Sequence, residues 1–454
     1  MSEGLSKEKF IFLYRVNKIQ RGEASWYKGK VMTIKEIENI ALNAKKTSLA
    51  LARSGTDARN NALAVIAKNI EANEDAVYRA NALDLENSRS LVESGEISKA
   101  TYGRLKLDEN KMRDMIQGIY DVIKLDDPIN EVFWRKKLDD DLILEKISCP
   151  IGVIGVIFEA RPDVIAQISA LAVKSGNAVL LKGGRESAET NKIIGKIVRE
   201  SLCSVKDEFE NAVNLLESRE DVVEMLKLDN YINLIIPRGS NELVKYIQNN
   251  TKIPVLGHAS GICHIYVHSD ADLEMAKEIC IDAKTQYPSA CNAVETILIN
   301  KDFPYISELL HALSFAGIEI IDNPEDWSTE YGDVKVSVRI VNSLLDAAGH
   351  INHYGSGHTD AIITQDPKEA EIFMHYVDSA GVFHNVSTRF SDGFRYGFGA
   401  EVGISTNKTH ARGPVGLDGL TTYKYKLRGI GQIARDYCDG TKTFKHEVLP
   451  KDLA

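Results

Sequence analysis

Residues 153–187 read VIGVIFEARPDVIAQISALAVKSGNAVLLKGGRES, and this stretch decides the fold. Six apolar or glycine residues (153–158) form a run with β-branched members, which predicts a strand buried on both faces. Pro162 then opens a helical pattern, and AVLLK (178–182) predicts a second buried strand before a helix starting near Ser187. Strand, helix, strand with short connections is the unit of a parallel α/β sheet. Working outward, short strands are expected at 213–215, 232–236 and 253–256, with a helix after Ser240. Upstream, LDDDLILEKISCP (138–150) predicts a hairpin, taken as about 136–150. From Met32 to about residue 125 the chain reads as helices, with apolar spacing in IENIALNAKK (37–46) and NALAVIAKNI (61–70). Downstream, CHIYVH, ETILIN, IEIID, SVRIV, DAIIT and GVFHNV predict a second αβ series. The segment LTTYKYKLRGIG (420–431) alternates like an exposed strand suited to joining another subunit's sheet.

The domain reading is an N-terminal extension (1–31), a dinucleotide-binding domain (32–255), a catalytic domain (256–412) and a C-terminal strand and tail (413–454). With 454 residues, one hydrophobic core does not suffice. A formal net charge of −10 and no long basic run argue against nucleic acid or an anionic membrane as partner. No apolar stretch spans a bilayer and the start lacks a signal-peptide core. The six cysteines contain no CxxC pair, which argues against a zinc site or a disulfide framework. A cytoplasmic enzyme without a metal is expected.

No GxGxxG motif follows the first strand, since Gly152 and Gly155 lie inside the apolar run. Two later turns carry the cofactor reading. LLKGGRES places Lys182 and Arg185 at a strand's carboxyl end, where a cation pair suits a ribose 2′-phosphate. IIPRGSNE places Arg238, Gly239 and Ser240 at a helix start, whose N–H groups can hold a pyrophosphate. Two solvated, capped loops are the plainer reading of the same residues.

The catalytic candidate is Cys291, in TQYPSACNAVETILIN (285–300). It falls between a helical segment (DLEMAKEICIDAKT) and a buried strand. Pro288, Ser289 and Ala290 imply a tight turn that offers a nucleophile and a backbone N–H together. The other cysteines named for comparison (149, 203, 263 and 280) lie in apolar patterns and read as structural.

Four long motifs resemble the gamma-glutamyl phosphate reductase branch of the aldehyde dehydrogenase superfamily, across residues 32–428. They are the 253–300 segment, VIFEARPDVIAQISALAVKSGNAVLLKGGRESAETN, VNSLLDAAGHINHYGSGHTDAII and AEVGISTNKTHARGPVGLDGLTTYK. Ala348 departs from the usual larger aliphatic residue. The resemblance implies two doubly wound parallel-sheet domains plus a hairpin and C-terminal oligomerisation element, and a homo-oligomer. It implies Cys291 as nucleophile, Lys182 at the adenine ribose, and Glu330 (in STEYGD) at the nicotinamide ribose. Arg185 stands where NAD-preferring relatives often carry an acid, which implies NADPH. The substrate implied is glutamyl 5-phosphate, with functional coupling to glutamate 5-kinase. Its anionic ends would meet Arg161, Arg412 or Lys424, and His350 and His358 would shape the pocket. For each of these, a surface charge or a satisfied structural histidine is an equal reading.

Two superfamily features are missing. The segment LGHASG (256–261) carries His258 where oxidative relatives have a glutamate base, and FEARPD lacks the oxyanion asparagine. A hydrolytic enzyme needs a base to activate water against its thioester, whereas a reductive one releases the thioester to hydride. An irreversible oxidative aldehyde dehydrogenase and a non-catalytic nucleotide-binding scaffold are the competing readings. Both fit the remaining residues less well.

Overall fold

The computed structural model describes residues 32–257 and 260–451, so residues 1–31 and His258 lie outside the described residues. Five helices open the described chain: Ile34–Arg53, Thr56–Ala72, Glu74–Glu93, Lys99–Leu105 and Glu109–Lys124. The first starts on a capping box, in which Thr33 and Glu36 satisfy each other's backbone N–H groups. A hairpin follows, β1 (Val132–Asp139) and β2 (Leu142–Pro150), turning at Asp140–Asp141 with Asp141 at φ 54°.

The first parallel sheet holds β3 (Val153–Phe158), β4 (Ala178–Lys182), β5 (Val213–Leu215) and β6 (Leu234–Arg238), in the order β5-β4-β3-β6. All six residues of β3 and all five of β4 are buried, as expected for a sheet covered on both faces. Helices Val164–Lys174 and Ala188–Val205 make the crossovers, and Asn241–Asn250 follows β6. The strand expected at 253–256 is only a parallel bridge from Ile235 to Val255. Pro254 has no N–H to give a ladder, so its carbonyl accepts from Ile235 and pairing stops there.

The second sheet is also wholly parallel, ordered β12-β11-β7-β8-β10-β9. Its strands are β7 (Cys263–Val267), β8 (Val294–Asn300), β9 (Glu319–Asp322), β10 (Lys335–Val341), β11 (Thr359–Ile363) and β12 (Gly381–His384). Every segment of the predicted second series is one of these strands. A small pair, β13 (Gly403–Ser405) and β14 (Gly413–Val415), then returns to the first sheet. Ala400, Val402, Val415, Leu417 and Leu420 share a core with β3 and β4. That return brings Glu401 to the end of β6.

The remaining strands, β15 (Thr421–Arg428) and β16 (Glu447–Leu449), flank the hairpin in an antiparallel sheet ordered β15-β2-β1-β16. The C-terminal strand therefore pairs with its own chain's β2 along eight residue pairs, from Thr421↔Pro150 to Arg428↔Ile143. Its outer edge is open, with Tyr423, Tyr425 and Leu427 exposed. Among the described residues no helix is long and apolar enough to cross a membrane. None of their His, Cys, Asp and Glu side chains form a group able to hold a metal. All six cysteines are free.

Candidate active site

Cys291 sits on a double turn between helix Leu273–Thr285 and β8. Ala290 N–H donates to Tyr287 O (3.1 Å) and Ala293 N–H to Ala290 O (2.9 Å), so the thiol is carried at the apex. Its own N–H donates to no group among the described residues, as an oxyanion donor requires. Cys263 Sγ donates to the Cys291 carbonyl (3.4 Å), and Asn292 Nδ2 donates to Ser391 O (2.8 Å). Gly261, the last residue of the LGHASG segment, lies flat on this turn. A Cβ there would come within 2.6 Å of the Cys291 carbonyl carbon, closer still to its oxygen and Cα. Only glycine allows that approach.

Burial pushes the Cys291 thiol up to about 12, with Glu401 and Glu330 adding to the shift and Arg238 and Arg389 opposing it. A thiol so raised rests neutral, and to act as a nucleophile it needs an acceptor for its proton. Of the charged groups around it, only Glu330 and Arg238 had been picked from the sequence. Glu401 is half-buried and its carboxyl is raised by that burial, with Arg238 pulling it back. Gly393 N–H donates to Glu401 Oε2 (2.8 Å), and Arg238 Nη1 to the Glu401 carbonyl (3.5 Å). The legible signal for Glu401 was a lone carboxylate inside the small, apolar run FGAEVGI.

Arg238 is half-buried at the end of β6, in the field of Arg161, Glu401, Asp163 and Cys291, so that besides a pyrophosphate it can serve the thiol. Ser240 does cap helix Asn241–Asn250, accepting from Leu243 N–H (3.4 Å). However, its own N–H donates to Glu159 Oε2 (3.1 Å), so this helix start already holds a carboxylate. Gly239 is required there, because a Cβ would meet Glu159 at 2.5 Å and Leu243 at 2.7 Å. Glu330 reaches across from the second sheet, where its Oε2 accepts from Asn241 Nδ2 (3.2 Å). Behind it, the sealed pair Lys284–Glu295 (2.8 Å) anchors the same loop, with Glu295 Oε1 accepting from Gly332 N–H (3.4 Å). Burial raises the Glu295 carboxyl against the pull of Lys284.

At the carboxyl end of β4, Lys182 is only 8% exposed, and its ammonium forms no ion pair among the described residues. Burial lowers it, as does Arg219. A buried, unspent cation at the carboxyl edge of a parallel sheet fits a nucleotide phosphate or ribose. The residues present thus fit a nicotinamide dinucleotide: Lys182 on the adenosine side, Asn241 and Glu330 toward the thiol. Arg185, by contrast, is 57% exposed and ion-paired with Glu96.

The substrate cations expected from the sequence are occupied or remote. Arg161 pairs with Asp163 (3.1 Å). Arg412 Nη1 bonds Asp378 Oδ1 (3.1 Å) and its Nη2 donates to Asp378 O (2.8 Å). The Lys424 expectation is corrected: it sits exposed on β15 opposite Ile147, because strand pairing carries it onto the hairpin sheet. His358 is buried, with Nδ1 against Thr359 Oγ1 (2.9 Å). His350 is a core histidine rather than a pocket wall. It packs on Trp327 (5.0 Å) and accepts at Nδ1 from Arg339 Nη1 (2.6 Å), and burial holds it down to about 3.

A group whose folded pKa is depressed to about 3 from 6.5 binds a proton in the unfolded chain first. Stability should therefore be intact above pH 6.5 and fall as pH drops from 6.5 toward 3. His350→Asn should flatten the pH dependence of the urea midpoint over that window. An unchanged slope would refute the assignment.

The family model for the aldehyde dehydrogenase family matches residues 21–335. The chain belongs to the aldehyde dehydrogenase family, and its parallel α/β sheets match that family's fold. A glyceraldehyde-3-phosphate dehydrogenase of Methanocaldococcus jannaschii, complexed with NADP, shares this fold at a TM-score of 0.62 and 16% identity, over 89% of this chain and 96% of that one. More specifically, the chain is 54% identical to the gamma-glutamyl phosphate reductase of Brachyspira hyodysenteriae, over 91% of this chain and all (100%) of that one. The crystal structure of the gamma-glutamyl phosphate reductase of Thermotoga maritima superposes with a TM-score of 0.84. It is 35% identical, covering 88% of this chain and 99% of that one. The chain is thus a member of the gamma-glutamyl phosphate reductase branch.

Proposed function

We propose that this chain catalyses the NADPH-dependent reduction of L-glutamyl 5-phosphate to L-glutamate 5-semialdehyde and phosphate through a thioester on Cys291. The observation that carries the reading is the Cys291 turn itself. A half-buried thiol faces two carboxylates and two guanidiniums, with no acid in the LGHASG loop to activate water.

Glu401, the carboxylate weighing most on Cys291, takes the Sγ proton, and its raised carboxyl suits a base. Sγ bonds the acyl carbon, the C–O bond to phosphorus breaks, and phosphate leaves with the electron pair. The Cys291 N–H faces the developing oxyanion. When bound, the nicotinamide supplies a hydride to the thioester carbon. Collapse then re-forms the carbonyl and returns the sulfur as thiolate, which takes back the proton held on Glu401. Arg185 beside Lys182 supports the 2′-phosphorylated cofactor, once its pair with Glu96 opens. The open edge of β15 supports a homo-oligomer, and the absence of a membrane-crossing helix among the described residues is compatible with a cytoplasmic place. An acyl phosphate hydrolyses readily, which supports functional coupling to glutamate 5-kinase as its source.

NADP⁺ reduction by glutamate 5-semialdehyde, followed with and without inorganic phosphate, tests this. Turnover should require phosphate. Sustained turnover without it, yielding glutamate, would instead establish a hydrolytic aldehyde dehydrogenase.

A further inference from the structure

Arg389 lies on a strap, Ser387 to Gly393, that grips both sides of the Cys291 turn. Upstream, Arg389 Nε donates to Gln286 Oε1 (2.8 Å) and its guanidinium carbon stands 5.8 Å from the Tyr287 ring centre. Downstream, Ser391 accepts from Asn292, and Gly393 N–H holds the Glu401 carboxylate. One short segment therefore fixes an arginine, the nucleophile's turn and the neighbouring acid together. The arginine is 8% exposed, yet it forms no ion pair among the described residues.

Its charge is unspent. Only Nε is engaged, and both Nη atoms donate to no group among the described residues. Asp392 and Asp282 act on it from a distance without pairing, and Arg395 repels it while donating to its carbonyl. Burial lowers its guanidinium, and the Cys291 charge opposes that shift, so the two groups share one environment. A desolvated guanidinium with a free edge is matched to an incoming tetrahedral oxyanion.

Resting on the acyl-phosphate reading above, we propose that Arg389 is the phosphoryl-binding residue. Its free edge holds the phosphate that departs when Sγ bonds the acyl carbon, and the inorganic phosphate that enters in reverse. Position favours phosphate over the substrate's α-carboxylate. The phosphoryl group is bonded through one oxygen to the carbon that Sγ attacks, whereas the α-carboxylate lies three carbons away. Arg389 is held by Gln286 and Tyr287, on the turn that carries Cys291, with both Nη atoms open, whereas Arg238 has one Nη on the Glu401 carbonyl (3.5 Å).

The test uses the full chain in the phosphate-dependent oxidation of glutamate 5-semialdehyde. Arg389→Ala should raise the KM for inorganic phosphate by about 20-fold or more, the scale of a lost charge-assisted contact. The KM values for aldehyde and NADP⁺ should stay within about 2-fold. Arsenate as the attacking oxyanion should show the same loss, Arg389→Lys should recover part of it, and guanidinium ion should rescue the alanine variant. A rise in the aldehyde KM with the phosphate KM unchanged would move Arg389 to the carboxylate and overturn the assignment. So would a proportional fall in every parameter together with a lowered melting temperature. Wild-type turnover independent of phosphate would overturn the acyl-phosphate reading itself.

Discussion

Replacing Cys291 with alanine should lower kcat by about 10⁴-fold or more while leaving cofactor binding unchanged. The size follows from what the thiol does. In the proposed reaction it turns one displacement of phosphate by hydride into two steps, each through an accessible tetrahedral centre, and no other described nucleophile is placed to replace it. Cys263 is the nearest alternative by chain contact, but burial and the Asp360 charge raise its thiol well above the usual range. Its Sγ is also spent on the Cys291 carbonyl. Nicotinamide titration should be unaffected, because Lys182, Asn241 and Glu330 stand on other elements. A variant retaining more than about 1% of wild-type kcat would show that acyl transfer does not pass through this sulfur.

Gly261→Ala is expected to have the next largest effect, although it touches no reactant. The new methyl would overlap the Cys291 backbone, with the carbonyl carbon at 2.6 Å. Neither partner is a flexible side-chain end, so the Cys291 turn itself must move. A displacement near 1 Å at a nucleophile costs on the order of 10²-fold in rate, and overpacking costs about 1–3 kcal/mol in stability. The expected result is kcat down about 100-fold, cofactor affinity near wild type and a modestly lower melting temperature. Full activity would mean that the loop yields instead of the turn.

Much of this was legible in the sequence. The runs VIGVIF and AVLLK predict buried strands because a parallel sheet needs no polar face, and both form. The turn at Cys291 followed from Pro288 and small neighbours. What stayed hidden depends on long-range packing. Arg389 meets Gln286 across 103 residues of chain, and Glu401 reaches β6 only because β13 and β14 fold back on the first sheet. Neither contact has a local pattern. Lys424 misled for the converse reason: a motif contiguous in sequence was read as one site. Strand alternation places it on the exposed hairpin sheet instead. Arg238 was assigned from its position before a helix, and only the folded chain brings it to the Glu401 carbonyl and into the field of Cys291.

The central claim is that Cys291 carries an acyl group released by phosphate in one direction and by hydride in the other. The most direct measurement is a rapid-mixing experiment with enzyme, NADP⁺ and glutamate 5-semialdehyde in phosphate-free buffer, followed by peptide mass spectrometry. The account predicts a burst of about one NADPH per active site, then arrest. A glutamyl adduct should sit on the Cys291 peptide, with turnover resuming when phosphate is added. Linear NADPH formation without phosphate, or an arrested enzyme with Cys291 unmodified, would contradict it.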